Sequence, residues 1–443
     1  MPIWNARIER MPRAELEQLQ LERLQATLNR IWDSVPFYRR RFEETGLMPE
    51  HIRSLDDVRL LPLTVKEDLR AGYPYDLFAL PLREVVRIHA SSGTTGQPTV
   101  VGYTKNDLRN WSELVARVLS AGGATKDDVI QISFSYGLLT DAFGFHQGAE
   151  EIGASVIPVS AGAPEQQLKI MRDFRSTALV GTPTDALRIA EALEEQEIPR
   201  TSLHLRWGMF GSAPWSENVR TRIESLLGIS ATDNYAISEV MGPGVSGECE
   251  ENKGGLHINE DHFLCEVIDP ESEEVLPPGE PGELVITTLT KEALPILRYR
   301  TRDLTSIDAR PCPCGRTLAR MARVSSRTDD MLIIGGVKLF PAQIEQVLTE
   351  VEGVEPHYRV IVDEVGGVDR VEVQVEVSGA LLTGDVGRLL KMENLLRRRL
   401  QADLGLSAEL KLVESRTIGP VEHPSQRIVD RRRAEGGERS KRE

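Results

Sequence analysis

The stretch STALVGTPTDALRIAEALEEQ at residues 176–196 contains a short apolar strand, a Gly-Thr-Pro break and then a helical run. The same order occurs twice earlier, where VIQISF at 129–134 and ASVIPVS at 154–160 are each followed by polar, Gly or Pro residues. Short strands that alternate with helices are typical of α/β sheets covered by helices. We therefore predict an α/β fold, and the alternation extends over roughly residues 85–324.

Outside this region the pattern changes at both ends. Residues 13–45 are predicted to be helical, because leucines recur near a 3.6-residue period. From residue 329 the chain has a strand, a Gly turn and an amphipathic helix, followed by the alternating strand VEVQVEVS at 371–378. The sequence thus predicts a large multi-sheet N-terminal domain over 1–328, a small mobile α+β C-terminal domain over 329–433 and a charged tail over 434–443.

Size and charge restrict the class of protein. A chain of 443 residues is too long for a single growing core, so two or more domains are expected. Lys and Arg number 53 against 68 for Asp and Glu, which gives 53 − 68 = −15 and argues against nucleic acid and anionic membranes as partners. Neither a secretion signal nor a membrane span is recognisable, and four cysteines favour a reducing, cytoplasmic location.

The strongest local signal is SSGTTGQPT at residues 91–99. Six consecutive Ser, Gly and Thr residues carry little side-chain bulk and many donors, so such a loop can surround polyphosphate oxygens. The loop lacks the Gly-Lys-Ser/Thr ending of a P-loop, which excludes that motif. Taken alone, the composition of this loop is better explained by a Gly/Ser/Thr turn between strands.

Several further segments, in order and at suitable separations, make the chain resemble the phenylacetate–CoA ligase family. This family lies within the superfamily of acyl-CoA synthetases, peptide-synthetase adenylation domains and luciferases. The resemblance implies an adenylate-forming enzyme. The segments that carry it are VPFYRRRF (35–42), RIHASSGTTGQPT (87–99), GFHQGAEEIGA (144–154), NYAISEVMGPGV (234–245), TTLTKEALPILRYRTRDL (287–304) and RTDDMLIIGGVKLFPAQIE (327–345).

The resemblance assigns an ATP-binding role to particular residues. Tyr235 and Ala236 would lie against adenine, and Ser238 would approach the α-phosphate. Glu239 would hold Mg²⁺, which neutralises charge between the acid and the phosphate. The alternative is that Glu239 is an ordinary surface carboxylate. Asp303 would accept hydrogen bonds from the ribose hydroxyls, although an isolated aspartate is more often a cap. The residues that would close over the β- and γ-phosphates are Ser91, Ser92, Gly93, Thr94 and Thr95.

The resemblance also assigns roles to residues at and beyond the predicted domain boundary. Arg327 would contact the ribose or a phosphate, and Asp329 would be the hinge about which the small domain turns. Gly335 and Gly336 would let the pantetheine of CoA approach the backbone. The residues that would line the acid pocket, each also explicable as an ordinary core residue, are Tyr136, Phe143, Phe145, His146 and Gly148.

Cysteine spacing suggests one metal site. Cys249 and His257 lie eight residues apart, and Cys312 and Cys314 flank a proline. Three thiolates and one imidazole form a suitable tetrahedral set for structural Zn²⁺. The spacing is not that of a standard zinc finger, so unligated reduced cysteines remain the alternative.

One departure from the family concerns catalysis. Anchoring on Arg427–Asp430 places Pro424 where the family has a lysine that bridges carboxylate and phosphate. Three hypotheses follow: a nearby cation such as Arg427 replaces the lysine, the protein performs only acyl transfer from acyl-CoA or acyl-AMP, or it binds nucleotide without catalysis. We favour a complete ligase, because the phosphate loop, Glu239 and Asp303 occur in one chain.

The prediction is therefore an ATP- and Mg²⁺-dependent ligase that joins an aromatic carboxylic acid, phenylacetate- or benzoate-like, to CoA through an acyl-AMP. An acyl carrier protein is the alternative acceptor. The oligomeric state is left open, with a homodimer as one option. The acid itself is not readable from any residue.

Overall fold

A computed structural model describes residues 3–91, 98–334, 337–351, 353–365, 368–378, 386–415, 417–419 and 424–432. The chain forms two compact units. One consists of residues 1–212 and 223–324, and the other of residues 213–222 and 325–443. The boundary at residue 328 that the sequence suggests stays a prediction.

The described part of the chain contains the following helices: α1 (Ala6–Glu9), α2 (Arg13–Ser34), α3 (Pro36–Thr45), α4 (Lys66–Ala71), α5 (Lys105–Ala121), α6 (Asp141–Ile152), α7 (Pro164–Asp173), α8 (Pro183–Glu195), α9 (Glu217–Leu227), α10 (Pro341–Thr349) and α11 (Val386–Leu404). Short 3₁₀ helices lie at Pro49–His51, Leu55–Leu60, Leu82–Glu84, Arg200–Ser202, Thr328–Asp330 and Pro424–Arg427. No helix in these ranges is long and apolar enough to cross a membrane.

The strands are β1 (Arg87–Ala90), β2 (Val100–Tyr103), β3 (Val129–Ile132), β4 (Ser155–Ile157), β5 (Ala178–Gly181), β6 (Trp207–Gly211), β7 (Ser230–Ile237), β8 (Gly242–Cys249), β9 (Asn252–Ile258), β10 (Phe263–Ile268), β11 (Gly282–Thr288), β12 (Tyr299–Thr305), β13 (Ile307–Asp308), β14 (Arg320–Met321), β15 (Ser326–Arg327), β16 (Leu332–Ile334), β17 (Val337–Leu339), β18 (Val354–Val365), β19 (Val368–Val377), β20 (Glu409–Glu414) and β21 (Ile428–Asp430).

The largest sheet has nine strands in the order β4-β3-β5-β6-β7-β8-β9-β14-β13. The strands from β4 to β7 run parallel, as the alternation of strands and helices predicts. The strands from β7 to β13 are antiparallel. Every residue of β5 and β6 is buried, which is typical of central strands with both faces covered.

Two smaller sheets belong to the same unit. Strands β10, β11 and β12 form an antiparallel group, and β1 pairs with β2 as a hairpin. The hairpin brackets the Ser/Gly/Thr loop that the sequence singles out. Ser91 and Thr99, at the two ends of that segment, therefore lie next to a short, regular pair of strands.

Helices α5 and α6 pack closely against the large sheet. Trp111 of α5 is fully buried and donates a hydrogen bond from Nε1 to the Pro243 carbonyl at 2.7 Å. A Cβ at Gly148 of α6 would lie 2.5 Å from Val115 Cγ1, so only glycine allows this approach of the two helices. Their contact fixes the start of α6 close to the turn after β7.

The long helical region at the N-terminus is divided in two. Helix α2 ends at Ser34 and α3 begins at Pro36, because proline at the first helical position cannot continue the preceding hydrogen-bond ladder. Leu16, Leu24 and Leu28 are fully buried, as the period predicts. The prediction of helix over 13–45 is correct apart from this break.

The second unit is the predicted α+β module. Strand β18 lies between β19 and β21 in a four-stranded sheet of order β20-β19-β18-β21. Its core is formed by one face of this sheet with α10 and α11, including Val360, Val373, Leu396 and Leu400. The alternation in β19 places Val371, Val373 and Val375 on the buried face.

Candidate active site

The base of the Ser/Gly/Thr loop is closed by two hydrogen bonds between Ser91 and Thr99. The Ser91 amide donates to the Thr99 carbonyl at 2.9 Å, and the Thr99 amide donates to Ser91 Oγ at 3.1 Å. The predicted phosphate residues Ser92, Gly93, Thr94 and Thr95 lie outside the described residues. The two ends of the loop are therefore held together, and the phosphate-binding role of the residues between them stays a prediction.

Two predicted nucleotide-binding side chains meet across two sheets. The Tyr235 hydroxyl, on β7 of the large sheet, donates a hydrogen bond to Asp303 Oδ2 on β12 at 2.5 Å. Both residues are buried, with 8% and 7% of their surface exposed. Ala236 follows on β7 and is half-buried. The adenine-side and ribose-side predictions thus converge on one place.

A bulge aims Asp303 at this position. On β12, Arg300 and Leu304 face Val285 and Glu283 of β11, so the strand accommodates two extra residues there. Arg302 within the bulge has φ +68°, a conformation that is costly for a residue with a side chain. Bulges that re-aim side chains are common beside functional sites. A regular β12 would alternate its side chains differently.

Ser238 and Glu239 follow directly after β7. The Ser238 hydroxyl is 3.0 Å from that of Thr140, the residue before α6. Glu239 is 5% exposed and forms an ion pair with Lys66, whose Nζ lies 3.3 Å from Oε1. The carboxylate that is predicted to hold Mg²⁺ therefore has a cation beside it.

The turn after Glu239 requires glycine. Gly242 has φ +101°, and a Cβ there would lie 2.9 Å from the Cβ of Thr140. The Tyr103 hydroxyl anchors the same turn by donating to the Met241 carbonyl at 2.8 Å. These contacts fix the turn against the start of α6, so the positions of Ser238 and Thr140 are linked.

Lys66 was not among the residues predicted from the sequence. It is the first residue of α4, and nearby Thr64 holds this segment to β12: the Thr64 amide donates to the Arg298 carbonyl at 3.0 Å, and the Arg300 amide donates to the Thr64 carbonyl at 2.9 Å. Nothing in the local pattern of PLTVKEDL distinguishes this lysine from a surface one. Only the pairing of Thr64 with β12 brings it to Glu239.

Three of the residues predicted to line the acid pocket form one aromatic group. The Tyr136 hydroxyl is 3.0 Å from His146 Nδ1, and the Tyr136 and Phe143 rings meet edge-on with centroids 5.3 Å apart. His89 of β1 also contacts Phe143, at 5.6 Å between centroids. Burial lowers the pKa of His89, which favours its neutral form.

The other two predicted pocket residues lie in close packing. Phe145 is fully buried and stacks on Phe134 with centroids 5.5 Å apart. Gly148 lies at the contact of α6 with α5 described above. Their direct contact with an acid stays a prediction, whereas their packing fixes α6.

In the second unit, the predicted nucleotide-contacting arginine is paired with the predicted hinge. Arg327 Nε and a terminal nitrogen of its guanidinium donate to the two carboxylate oxygens of Asp329 at 2.9 and 3.1 Å. The predicted CoA-approach residues Gly335 and Gly336 lie outside the described residues.

Arg427, the suggested replacement for the missing lysine, is engaged inside the second unit. Its guanidinium donates to Glu345 Oε2 at 2.7 Å and lies 4.5 Å from the centre of the Tyr358 ring. Breaking a largely buried ion pair is costly. This arrangement argues against Arg427 as the replacement cation.

The predicted cysteine and histidine set assembles at one point. One ligand atom from each of Cys249, His257, Cys312 and Cys314 lies within 4.8 Å of the others. The Cys249 and Cys312 sulfurs are 3.7 Å apart, close to the roughly 3.8 Å that a tetrahedral site with Zn–S bonds of about 2.3 Å requires. The Leu318 carbonyl lies 3.4 Å from His257 Nδ1, and Nε2 is 3.4 Å from the Cys314 sulfur.

Comparison with known proteins places the chain in two steps. The family model of AMP-binding enzymes matches residues 51–290, and that of the AMP-binding enzyme C-terminal domain matches residues 336–432. The chain therefore belongs to the AMP-binding enzymes, the class that the adenylate-forming fold defines.

Within that class the relatives are more specific. Phenylacetate-coenzyme A ligase of Escherichia coli (strain K12) is 46% identical over 424 residues, which cover 95% of this chain and 96% of the relative. The enzyme of the same name from Thermus thermophilus is 47% identical over 376 residues, 85% of this chain and 84% of the relative. The chain is accordingly a member of the phenylacetate–CoA ligase family.

A solved structure supports the same fold. 2-Hydroxyisobutyryl-CoA ligase in the postadenylation state, in complex with 2-HIB-AMP, superposes with a TM-score of 0.89 at 28% identity and covers 96% of this chain and 91% of that chain.

Proposed function

We propose that the protein is an AMP-forming acid–CoA ligase whose substrate is an aromatic carboxylic acid of the phenylacetate or benzoate type. The observation that carries the proposal is the hydrogen bond from Tyr235 to Asp303. It brings together two remote segments that the family resemblance assigns to one nucleotide. The relatives named above are ligases, which supports the complete reaction over acyl transfer alone or nucleotide binding without catalysis.

The reaction has two steps. A carboxylate oxygen of the acid attacks the α-phosphorus of ATP, and the bond to pyrophosphate breaks, which leaves an acyl-AMP. The CoA sulfur then attacks the acyl carbon, loses its proton and releases AMP. CoA is the proposed acceptor; a carrier protein and a homodimer stay predictions.

Different residues of the first unit are proposed to bind the ribose, the phosphates and the metal ion. Asp303, oriented by Tyr235, accepts hydrogen bonds from the ribose hydroxyls. Ser238, held by Thr140, lies toward the α-phosphate, and the loop from Ser91 covers the other two phosphates. Mg²⁺, when bound at Glu239, supplies positive charge between the two anionic reactants.

Lys66 gives the site a cation despite Pro424. Its ammonium lies beside the Glu239 carboxylate, where two anions must approach each other. A positive charge held there lowers the electrostatic cost of adenylation. We propose that Lys66 supplies part of the charge that the family's lysine provides.

The aromatic group of Tyr136, Phe143 and His146 is the proposed pocket for the aryl group. Apolar faces with a few polar groups suit an aromatic acid. The hinge role of Asp329 and the nucleotide contact of Arg327 are proposed on the family resemblance, and so is the approach of CoA to Gly335 and Gly336.

A structural Zn²⁺ at Cys249, His257, Cys312 and Cys314 completes the proposal. The sulfur separation and the carbonyl beside His257 Nδ1 fit the ion, because a metal-binding histidine commonly donates its other ring nitrogen to such a group. Cys314 of this set is hydrogen-bonded to Arg316, whose Nε donates to Glu9 Oε2 at 2.5 Å. Zinc would thus fasten the segment that holds the N-terminus.

The decisive experiment measures pyrophosphate release from ATP with a panel of aryl acids, with and without CoA. Release that depends on the acid, together with thioester formation that depends on CoA, is expected. Thioester formation only from supplied acyl-AMP or acyl-CoA would overturn the proposal in favour of acyl transfer. Nucleotide binding with no turnover would leave a non-catalytic binder.

A further inference from the structure

Two buried aromatic side chains donate hydrogen bonds to the turn that contains Glu239 and to the residues directly after it. The Tyr103 hydroxyl donates to the Met241 carbonyl at 2.8 Å. Trp111 Nε1 donates to the Pro243 carbonyl at 2.7 Å. Both side chains are fully buried, and their rings stack with centroids 5.0 Å apart. One aromatic pair therefore holds two carbonyls of this segment.

Glu239 lies inside a closed turn, and Tyr103 holds the last residue of that turn. The Val240 and Met241 amides donate to the Ile237 carbonyl at 3.2 and 3.1 Å. The side chains of Val240 and Met241 are buried. A shift of Met241 would therefore move the closed ring of backbone atoms that carries Glu239.

Tyr103 and Glu239 also interact through space. Burial raises the pKa of the Tyr103 phenol, and the charge of the Glu239 carboxylate is among those that raise it further. The phenol therefore keeps its proton and acts as a donor. Lys291 contacts both members of the bond, because its Nζ lies 3.2 Å from the centre of the Tyr103 ring and 3.8 Å from the Met241 sulfur.

The backbone of Tyr103 belongs to the hairpin that flanks the predicted phosphate loop. Tyr103 is the last residue of β2 and faces Arg87 of β1. Its carbonyl accepts a hydrogen bond from the Val86 amide at 2.9 Å. The bond from its hydroxyl to Met241 spans 138 positions of the chain. Tyr103 thus ties the hairpin to the turn that carries Glu239.

We propose that Tyr103 is a positioning residue for metal binding, whose hydrogen bond to Met241 fixes the Glu239 carboxylate for the ion that accompanies ATP. The inference rests on the proposed function, which assigns Mg²⁺ to Glu239. A single, largely buried carboxylate fits Mg²⁺, which proteins commonly hold with one or two carboxylates and the phosphates of the substrate. A carboxylate that is fixed in advance loses less conformational freedom when the ion binds.

The test compares Tyr103→Phe with the wild type while Mg²⁺ is varied. The substitution keeps the ring and removes only the donor. We expect the Mg²⁺ concentration that half-saturates pyrophosphate release to rise about tenfold, because the turn loses one buried hydrogen bond. KM for ATP at saturating Mg²⁺ should stay unchanged, since Tyr235 and Asp303 are not altered. Trp111→Phe, which removes the other donor of the pair, should raise the same Mg²⁺ concentration.

Tyr358→Phe is the matched control, because Tyr358 has the same kind of surroundings in the second unit. It is buried, and its hydroxyl donates to the Pro341 carbonyl at 2.7 Å. A cation also lies beside its ring, since the Arg427 guanidinium is 4.5 Å from the ring centre. Tyr358→Phe should lower the thermal midpoint about as much as Tyr103→Phe does and leave the dependence on Mg²⁺ unchanged.

Binding of Mn²⁺ in place of Mg²⁺, followed by electron paramagnetic resonance with α,β-methylene-ATP, keeps the test independent of turnover. We expect Kd for Mn²⁺ to rise about tenfold in Tyr103→Phe and at least as much in Glu239→Gln. That result would support the role of Tyr103 even if no acid releases pyrophosphate, a failure that would count only against the proposed ligase. An Mn²⁺ affinity that is unchanged in Tyr103→Phe, or that falls equally in Tyr358→Phe, would overturn the inference and leave the ligase intact.

Discussion

Tyr235 donates a hydrogen bond to Asp303 at 2.5 Å and so joins the large sheet to the smaller antiparallel one. The two residues are separated by 68 positions in the chain. The bulge in β12 makes their contact possible. The carboxylate that is proposed to bind the ribose is thereby oriented before a nucleotide arrives, which would lower the entropic cost of binding.

This contact predicts that Tyr235→Phe weakens ATP binding without unfolding the protein. A hydrogen bond to a charged group contributes about 1.5–3 kcal/mol, and loss of the orientation that it gives Asp303 should raise KM for ATP by up to roughly 10- to 100-fold. Steady-state kinetics with varied ATP measures the effect. Tyr75→Phe, at an exposed tyrosine, is the control. An unchanged KM for ATP in Tyr235→Phe would show that Asp303 does not depend on this bond.

The ion pair of Lys66 with Glu239 predicts a loss of adenylation in Lys66→Met. Removing one preorganised charge at a site where charge develops typically costs about 10²–10³ in kcat, and we expect a decrease of that order in the rate of pyrophosphate release. Lys105→Met is a matched control, since Lys105 is also the first residue of a helix but is exposed.

Arg427→Gln tests whether Arg427, rather than Lys66, replaces the lysine that the family has at the position of Pro424. If Lys66 is the compensating cation, this variant should lose stability through its partner Glu345 and keep the adenylation rate of the folded fraction. A selective loss of adenylation in Arg427→Gln, with Lys66→Met active, would reverse the assignment.

The cysteine–histidine set predicts about one equivalent of zinc per chain in purified protein. Cys312→Ser should release the metal and lower the thermal midpoint by several degrees, because metal binding contributes directly to folding. Elemental analysis and thermal unfolding measure both. Cys265→Ala, which changes the cysteine outside the set, should keep its metal. Wild-type protein without stoichiometric zinc would refute the site.

The burial of Lys291 predicts that the stability of the folded protein depends on pH. Its side chain is fully buried, with Nζ 3.2 Å from the centre of the Tyr103 ring, and burial lowers its pKa from 10.5 to about 7 despite the attraction of Asp107. Between these values the unfolded chain binds the proton and the folded chain does not, so the contribution of Lys291 to stability rises with pH in that window.

The measurement compares the free energy of unfolding of the wild type and of Lys291→Met as a function of pH. The difference should change in favour of the wild type by up to roughly 1.4 kcal/mol per pH unit between about pH 7 and pH 10. Below pH 7 both states bind the proton, and the difference should level off. A difference that is flat from pH 7 to pH 10 would mean that Lys291 titrates normally in the folded protein.

Much of the fold could be predicted because its signals are local. The alternation of strands and helices predicted the parallel half of the large sheet. The change of pattern near residue 329 predicted the α+β module, and the valine alternation at 371–377 predicted the buried face of β19. Each depends on a period of 2 or 3.6 residues within one element.

The contacts of the site could be predicted only in part. The family segments identified Tyr235, Glu239 and Asp303 as candidate site residues. They did not predict that Tyr235 donates a hydrogen bond to Asp303, or that Lys66 lies beside Glu239. The contact of Thr140 with Ser238 was also missed, since Thr140 has no distinctive neighbour in the sequence. The hypothesis that Arg427 compensates for Pro424 did not foresee the ion pair of Arg427 with Glu345, which lies 82 positions away in the chain.

By itself, the sequence determined the kinds of element, the change of pattern near residue 329 and the family, because periodicity and short motifs are properties of neighbouring residues. Only the tertiary structure decided which side chains meet. The strand order of the large sheet, the bulge in β12 and the pairing of Thr64 with β12 set those contacts, and each arises from interactions between segments far apart in the chain.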